Sequence, residues 1–220
     1  MHQFGRLRRD ICEKQVSFGV RKINRDKKPL QDIGFAEGDN ITSRERYRPG
    51  TTLMLALAAI FAALVFVVTS QIPPISIPAT SGYFNFGETI IYTAALTSGP
   101  LTGAVAGGAG SMLADVYLGF AAFAPGTFVI KGFEGLIVGF LSTKLRRHIS
   151  NLTVSAIIST VIGGLEMVAG YFLYEQLVLG YSFAAALVEV PFNLVQMTVG
   201  LVVAIPVMHA VLRVFPQLKS

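Results

Sequence analysis

The chain has 220 residues, of which 52% are hydrophobic and only 14% charged, against about a quarter charged in ordinary soluble domains. Its 18 Lys+Arg outnumber its 13 Asp+Glu, but residues 1–50 hold 12 of the former and 7 of the latter, leaving six of each for the remaining 170 residues. That distribution excludes a single soluble globular domain and predicts a polar arm, residues 1–50, followed by a membrane domain, residues 51–215.

The arm has mixed charge with a basic excess ("RLRR", "RKINRDKK", "RERYR") and no sustained apolar period. It reads as disordered, with room for a short helix near residues 11–20. A basic arm can meet nucleic acid or anionic lipid. The simpler expectation is a solvated tail that helps hold the N-terminus inside, with no nucleic-acid partner. The first apolar run begins some 50 residues in, so no signal peptide is expected, and a start site placed too far upstream would look the same. The one cysteine, Cys12, lies in the arm, so no internal disulfide can form.

A helix needs about 20 apolar residues to cross the hydrocarbon. The expected spans are residues 52–70, 86–98, 101–118, 126–145, 152–174 and 183–210, which makes an all-α integral membrane protein with a six-transmembrane-helix bundle. The second span is the least secure because thirteen residues fall short of a crossing, and the sixth contains Pro191 and Pro206. Basic residues cluster in "KLRRH", residues 144–148, and near the C-terminus, whereas segments 71–87, 119–125 and 175–182 have none. The positive-inside rule then puts both termini and the 144–148 loop in the cytoplasm of a multi-pass cell-membrane protein.

Seven charged residues lie in or beside the spans: Glu88, Asp115, Lys131, Glu134, Glu166, Glu175 and Glu189. With that topology all seven fall in the outer half. A charge in hydrocarbon costs several kcal/mol unless it faces the bundle interior, water or a partner. Pairing accounts for some of them, with Lys131 and Glu134 one turn apart and with Glu88 and Glu175 at helix ends. As a group they predict an outward-facing polar cavity, with Asp115, Lys131, Glu134, Glu166 and Glu189 as candidate ligand contacts. The alternative is an ion-coupled carrier or channel that uses the same carboxylates.

Small residues mark where helices approach closely. Gly103, Gly107 and Ser111 share one face of the third span, and Gly132, Gly135 and Gly139 recur in the fourth. In the first span, Ala56, Ala59 and Ala63 share a face with Ala58 and Ala62 beside it, either for internal packing or for another membrane protein. Enzyme signatures fail: "GGAGS" lacks the Lys-Ser/Thr of a phosphate loop, and there is no Gly-x-Ser-x-Gly and no His-Glu-x-x-His. The chain is expected to be no enzyme and to need no cofactor or metal, so any ATP-driven uptake requires partner subunits.

The run "GYFNFGETIIYTAALTSGPLTGAVAGGAGSMLADVYLGF…FAPGTFVIKGFEGLIVGFL" and the later "LVEVPFNLVQMTVG" resemble the membrane-embedded substrate-binding (S) component of energy-coupling factor (ECF) vitamin transporters, in the riboflavin/hydroxymethylpyrimidine-type branch. The resemblance covers about residues 50–215. It implies a six-helix bundle that binds a vitamin or precursor from outside, with no enzymatic activity of its own. It also implies docking on a transmembrane coupling subunit served by two cytoplasmic ATPases. The family's Ala-xxx-Ala face toward that subunit matches Ala59 and Ala63, with Ala58 and Ala62 as a shifted pair. The family's ligand contacts carry over to Tyr83, Phe84 and Asn85 of the first loop, Lys131 and Glu134 of span four, and Glu189, Asn193 and Gln196 of span six. With no tryptophan in the chain, ring stacking falls to Tyr or Phe.

Overall fold

A computed structural model describes residues 50–72, 75–77, 80 and 82–215. The expected arm, residues 1–50, lies outside the described residues except for Gly50.

Helix α1, Thr51–Gln71, leads to a two-stranded antiparallel hairpin of β1, Ile75–Ile77, and β2, Gly82–Phe84. Helix α2 is Gly87–Ser98. It stops where Gly99 takes a positive φ of 91° and Pro100 follows, a conformation and a residue that both end a helix. Helix α3, Pro100–Val105, a π-helical turn, Ala106–Gly110, and helix α4, Ser111–Leu118, follow with right-handed helical backbone at both junctions. Helices α5, Ala124–Leu145, α6, Leu152–Leu177, and α7, Phe183–Val214, complete the chain. The side chain of Asn151 caps α6, accepting from the Thr153 and Val154 amides at 3.0 and 3.2 Å, and Ser182 caps α7. Asn151 begins a glycosylation-like Asn-Leu-Thr triplet, and its side chain is spent on the cap.

The protein is therefore mostly helical. Among the described residues α1, α5, α6 and α7 are long and apolar enough to cross a membrane. The expected all-α architecture is modified by the hairpin, and the expected continuous third span by the π turn. One extra residue in a turn widens the helix. Here it falls in "AGGAG", where the small residues press against α1 and α5 at once: Gly107 against the Lys131 carbonyl, Gly108 against that of Phe128, and Gly110 against that of Ala62.

Helix α2, the segment that sequence length makes least secure, is the centre of the bundle. It packs against α1, α3, α5 and α7, and nine of its twelve residues are buried. At about 18 Å by helical rise it is short of a crossing, and its C-terminal end is met from the other side by Arg146, whose Nη2 donates to the Leu96 carbonyl at 2.5 Å. That bond satisfies a carbonyl left over at the helix end with a cation suited to the dipole there. The core from Ile91 toward this end is apolar, with Ile91, Leu96, Val138, Met208 and Leu212 in one cluster. Its polar residues are mostly hydroxyls bonded back to their own helices, as in Thr97 to the Thr93 carbonyl at 2.6 Å and Ser159 to the Ser155 carbonyl at 2.7 Å.

Candidate functional site

The buried carboxylates and the buried lysine gather at the hairpin end. Lys131 on α5 is 2% exposed, and its ammonium lies between two carboxylates that are equally sealed. Glu134, one turn on, places Oε2 3.4 Å from Nζ. Glu88, in the first turn of α2, makes the closer ion pair with Nζ. Each acid is held by a further donor: Gln196 Nε2 donates to Glu88 Oε1 at 2.8 Å, and the Tyr92 hydroxyl donates to Glu134 Oε1 at 2.7 Å. These donors offset part of the cost of burying the charges, although Glu88 Oε2 and Glu134 Oε2 accept no hydrogen bond among the described residues. Glu88 is thus no helix-end bystander. Because α2 is central, its first turn opens into the bundle. A close approach keeps the acid there, since a Cβ on Gly200 would lie 2.6 Å from the Glu88 Cβ.

The hairpin closes over this cluster through three contacts with the helices. The Tyr83 hydroxyl donates to Asp115 Oδ1 on α4 at 2.5 Å. The Asn85 amide donates to Gln196 Oε1 at 2.9 Å. Thr80 Oγ1 donates to Glu189 Oε2 on α7. Gly82 permits the last approach, because a Cβ there would stand 2.7 Å from both Glu189 carboxylate oxygens. The Asn85 side chain accepts from the Gly87 amide at 2.8 Å and so turns the chain into α2.

Between hairpin and helices is a cavity of about 30 Å³, room for one or two waters. Tyr83, Asn85, Asp115, Lys131, Glu189, Asn193 and Gln196, all expected at the site, line it. The other expected contacts lie elsewhere. Phe84 faces a separate apolar groove with Pro191, Phe192 and Val195, because neighbouring strand residues point to opposite faces. Glu134 is fully buried behind Lys131. Glu166 on α6 is half-buried and stands within electrostatic reach of Glu134 and Lys131 without lining the cavity.

Gly82, Ser111, Phe123, Thr127 and Tyr171 also line the cavity and were not expected. Tyr171, whose hydroxyl donates to Thr127 Oγ1 at 3.0 Å, and Phe123 supply the aromatic walls. Their signal in sequence was the lack of tryptophan, which named the residue type but not the positions. Of the cavity-lining groups that are buried without a hydrogen-bond partner among the described residues, Lys131 Nζ is answered by its ion pairs, which leaves Asp115 Oδ2, an acceptor, and Asn193 Nδ2, a donor. Glu175, at the last turn of α6, is fully buried with both carboxylate oxygens unpartnered, which its position at a helix end did not suggest.

On α1 the two alanine faces separate. Ala58 is buried and Ala62 half-buried, with Gly110 against the Ala62 carbonyl, while Ala56, Ala59 and Ala63 are exposed.

A model of the family described as "ECF-type riboflavin transporter, S component" matches residues 50–213. The thiamine precursor transporter HmpT of Lactococcus lactis subsp. cremoris is 31% identical over 151 residues, 68% of this chain and 82% of that protein. An uncharacterized protein of Pyrococcus woesei is 40% identical over 136 residues, 62% of this chain and 86% of that one. A solved S component of a bacterial ECF transporter has the same fold, with a TM-score of 0.54 at 17% identity, covering 74% of this chain and 96% of that one. The chain belongs to the ECF-type riboflavin transporter S-component family and is a substrate-binding subunit of an ECF transporter.

Proposed function

We propose that the chain captures a small nitrogen heterocycle without a phosphate, a vitamin or vitamin precursor, in the cavity beneath the hairpin, from outside the cell. The observation that carries this reading is the pair of buried, unpartnered groups on the cavity wall, Asp115 Oδ2 and Asn193 Nδ2. Protein interiors rarely leave such groups unsatisfied, and an acceptor and a donor facing one cavity suit a ring that carries both. Phe123 and Tyr171 offer faces to that ring. Lys131 lines the cavity, but its charge is already opposed by Glu88 and Glu134. The remaining acids, Asp115 and Glu189, make the wall unsuited to an anion. A cavity of this size admits a ring only when the hairpin moves.

In this reading the 19 residues of α3, the π turn and α4 make the third of six crossings, with α2 the second. Both termini and the loop of Lys144, Arg146, Arg147 and His148 are cytoplasmic, and the hairpin faces outward. The exposed Ala56, Ala59 and Ala63 face meets a transmembrane coupling subunit, and two cytoplasmic ATPases drive release. An ion path is disfavoured by where the buried carboxylates stop: beyond Tyr92 the core is mainly apolar, with hydroxyls such as those of Thr97 and Ser159 bonded to their own helices.

Ligand screening on the purified protein tests the reading. Tight binding of riboflavin, hydroxymethylpyrimidine or a related heterocycle without ATP, and no uptake by the chain alone, is the expected result. Preference for a phosphorylated ligand would overturn the charge argument, and ion flux through the chain alone in vesicles would favour a carrier. For topology, a cysteine in place of His148 should resist an impermeant thiol reagent added outside whole cells.

A further inference from the structure

We propose that Tyr83 is the selectivity filter of the cavity: its phenol holds the Asp115 oxygen that an incoming ligand's own N–H or O–H must take over. This inference rests on the capture reading above and deepens it.

The Tyr83 side chain has the chemistry of such a ligand. It is a flat ring with one donor, lying 4.6 Å from the Phe120 ring, centroid to centroid, at 33° between planes. Its hydroxyl donates to Asp115 Oδ1 at 2.5 Å, short as befits a bond to a carboxylate. Burial, and then the Asp115 charge, push the Tyr83 phenol above its ordinary pKa, so it stays a donor at any cellular pH. Tyr83 is itself part of the cavity wall, and the space left beside it holds only one or two waters. A ring cannot enter while that phenol stays on Asp115.

The other two hairpin contacts differ in kind. Asn85 uses a backbone amide, and Thr80 a hydroxyl with no ring. Neither occupies ring-shaped space. Displacing Tyr83 trades one donor on Asp115 Oδ1 for another, so that oxygen is never left bare as Oδ2 is. A ligand with no donor leaves it unmatched and is rejected, which defines the class admitted: flat heterocycles with an N–H or O–H at one edge and an acceptor for Asn193 Nδ2.

The test uses the full chain in detergent with Cys12 replaced by Ser and compares Tyr83→Phe, which keeps the ring and removes the donor, with the parent. In the first arm, a Thr127→Cys probe on the cavity wall is labelled with a small methanethiosulfonate without ligand. Loss of one hydrogen bond to a carboxylate should speed labelling by at least about tenfold. In the second arm, with Thr127 intact, riboflavin and hydroxymethylpyrimidine are titrated. The probe that binds should bind Tyr83→Phe at least about tenfold more tightly. A Tyr83 that contacts the bound ligand through its hydroxyl predicts the opposite sign. Unchanged labelling, or unchanged or weaker affinity, overturns the proposal. Faster labelling while neither probe, nor any other heterocycle screened, binds either protein supports the Tyr83–Asp115 latch and defeats the capture reading instead.

Discussion

Helices α1 and α2 invert the usual relation between hydrophobicity and burial. Helix α1 has no charged residue, yet only Ala58, Val65, Thr69 and Ser70 of its 21 residues are buried in the protein. Helix α2 carries Glu88, Tyr92 and four Ser or Thr residues in twelve, and nine of the twelve are buried. In water this would be a fault. In lipid it follows from the solvent, because acyl chains are as apolar as leucine and cover α1 without loss. Polar groups, by contrast, must find partners in protein. What is most apolar stays outside, and what is polar is taken to the centre, where neighbours on four sides can answer it.

The strongest test of that contrast removes the partner on which α2 depends. Lys131→Met keeps the side-chain length but leaves Glu88 and Glu134 buried without a counter-charge. The expected loss is about 3–5 kcal/mol, read as a collapse of folded protein in thermal unfolding or size exclusion in detergent. A variant as stable as the parent would mean that the acids are not held by the lysine.

Next comes the packing of α2. Ala95 is 1% exposed, and a Cβ on Gly103 would already lie 2.7 Å from its own Cβ. Ala95→Leu is expected to cost about 1–3 kcal/mol, measured by the same unfolding assay. A tolerated leucine would show that the centre is loosely packed.

Two residues near the cluster should then part company. Asn193→Ala removes an unpartnered donor on the cavity wall, so ligand affinity should fall about 5- to 150-fold while the stability of the unliganded protein holds. Glu134→Ala leaves Lys131 one carboxylate and the Tyr92 hydroxyl without its acceptor, so its loss should appear in stability as well as in binding. Calorimetry with the identified ligand, beside unfolding of both variants, separates them. Equal stability losses would place Asn193 in the fold rather than the site.

The smallest effect on stability belongs to α1. Ala59→Trp and Ala63→Trp point outward and should change unfolding by less than about 0.5 kcal/mol and leave ligand binding intact. Close approach of a partner helix would be blocked, and uptake by the assembled transporter should be abolished. The same substitution at the buried Ala58 should instead unfold the bundle. If Ala59→Trp loses binding as much as uptake, the exposed face is part of the protein's own packing.

Much of the candidate site was legible before folding because burying charge is costly in any fold. Carboxylates, a lysine and amides at similar depth in three apolar segments had to face inward together, and Asp115, Lys131, Glu189, Asn193 and Gln196 do line one cavity. Phe84, expected beside its neighbours, faces the separate apolar groove, because a loop was expected where β2 alternates its side chains. Glu88 was set aside because a carboxylate in a first helical turn is ordinarily solvated and favoured by the dipole. Only the central position of α2 denies it water.

The sequence by itself determined the membrane class, the helical segments to within a few residues, the break at Gly99–Pro100, and the family. These follow from local chemistry: runs of apolar side chains, and a Gly-Pro pair that cannot continue a helix. Tertiary structure alone decided that the shortest segment is the core, that Lys131 pairs most closely with Glu88 across helices, and which alanine face of α1 turns inward. Hydropathy reports what a segment can tolerate around it. Which neighbour satisfies a buried charge depends on residues distant in the chain, and only packing brings them within reach.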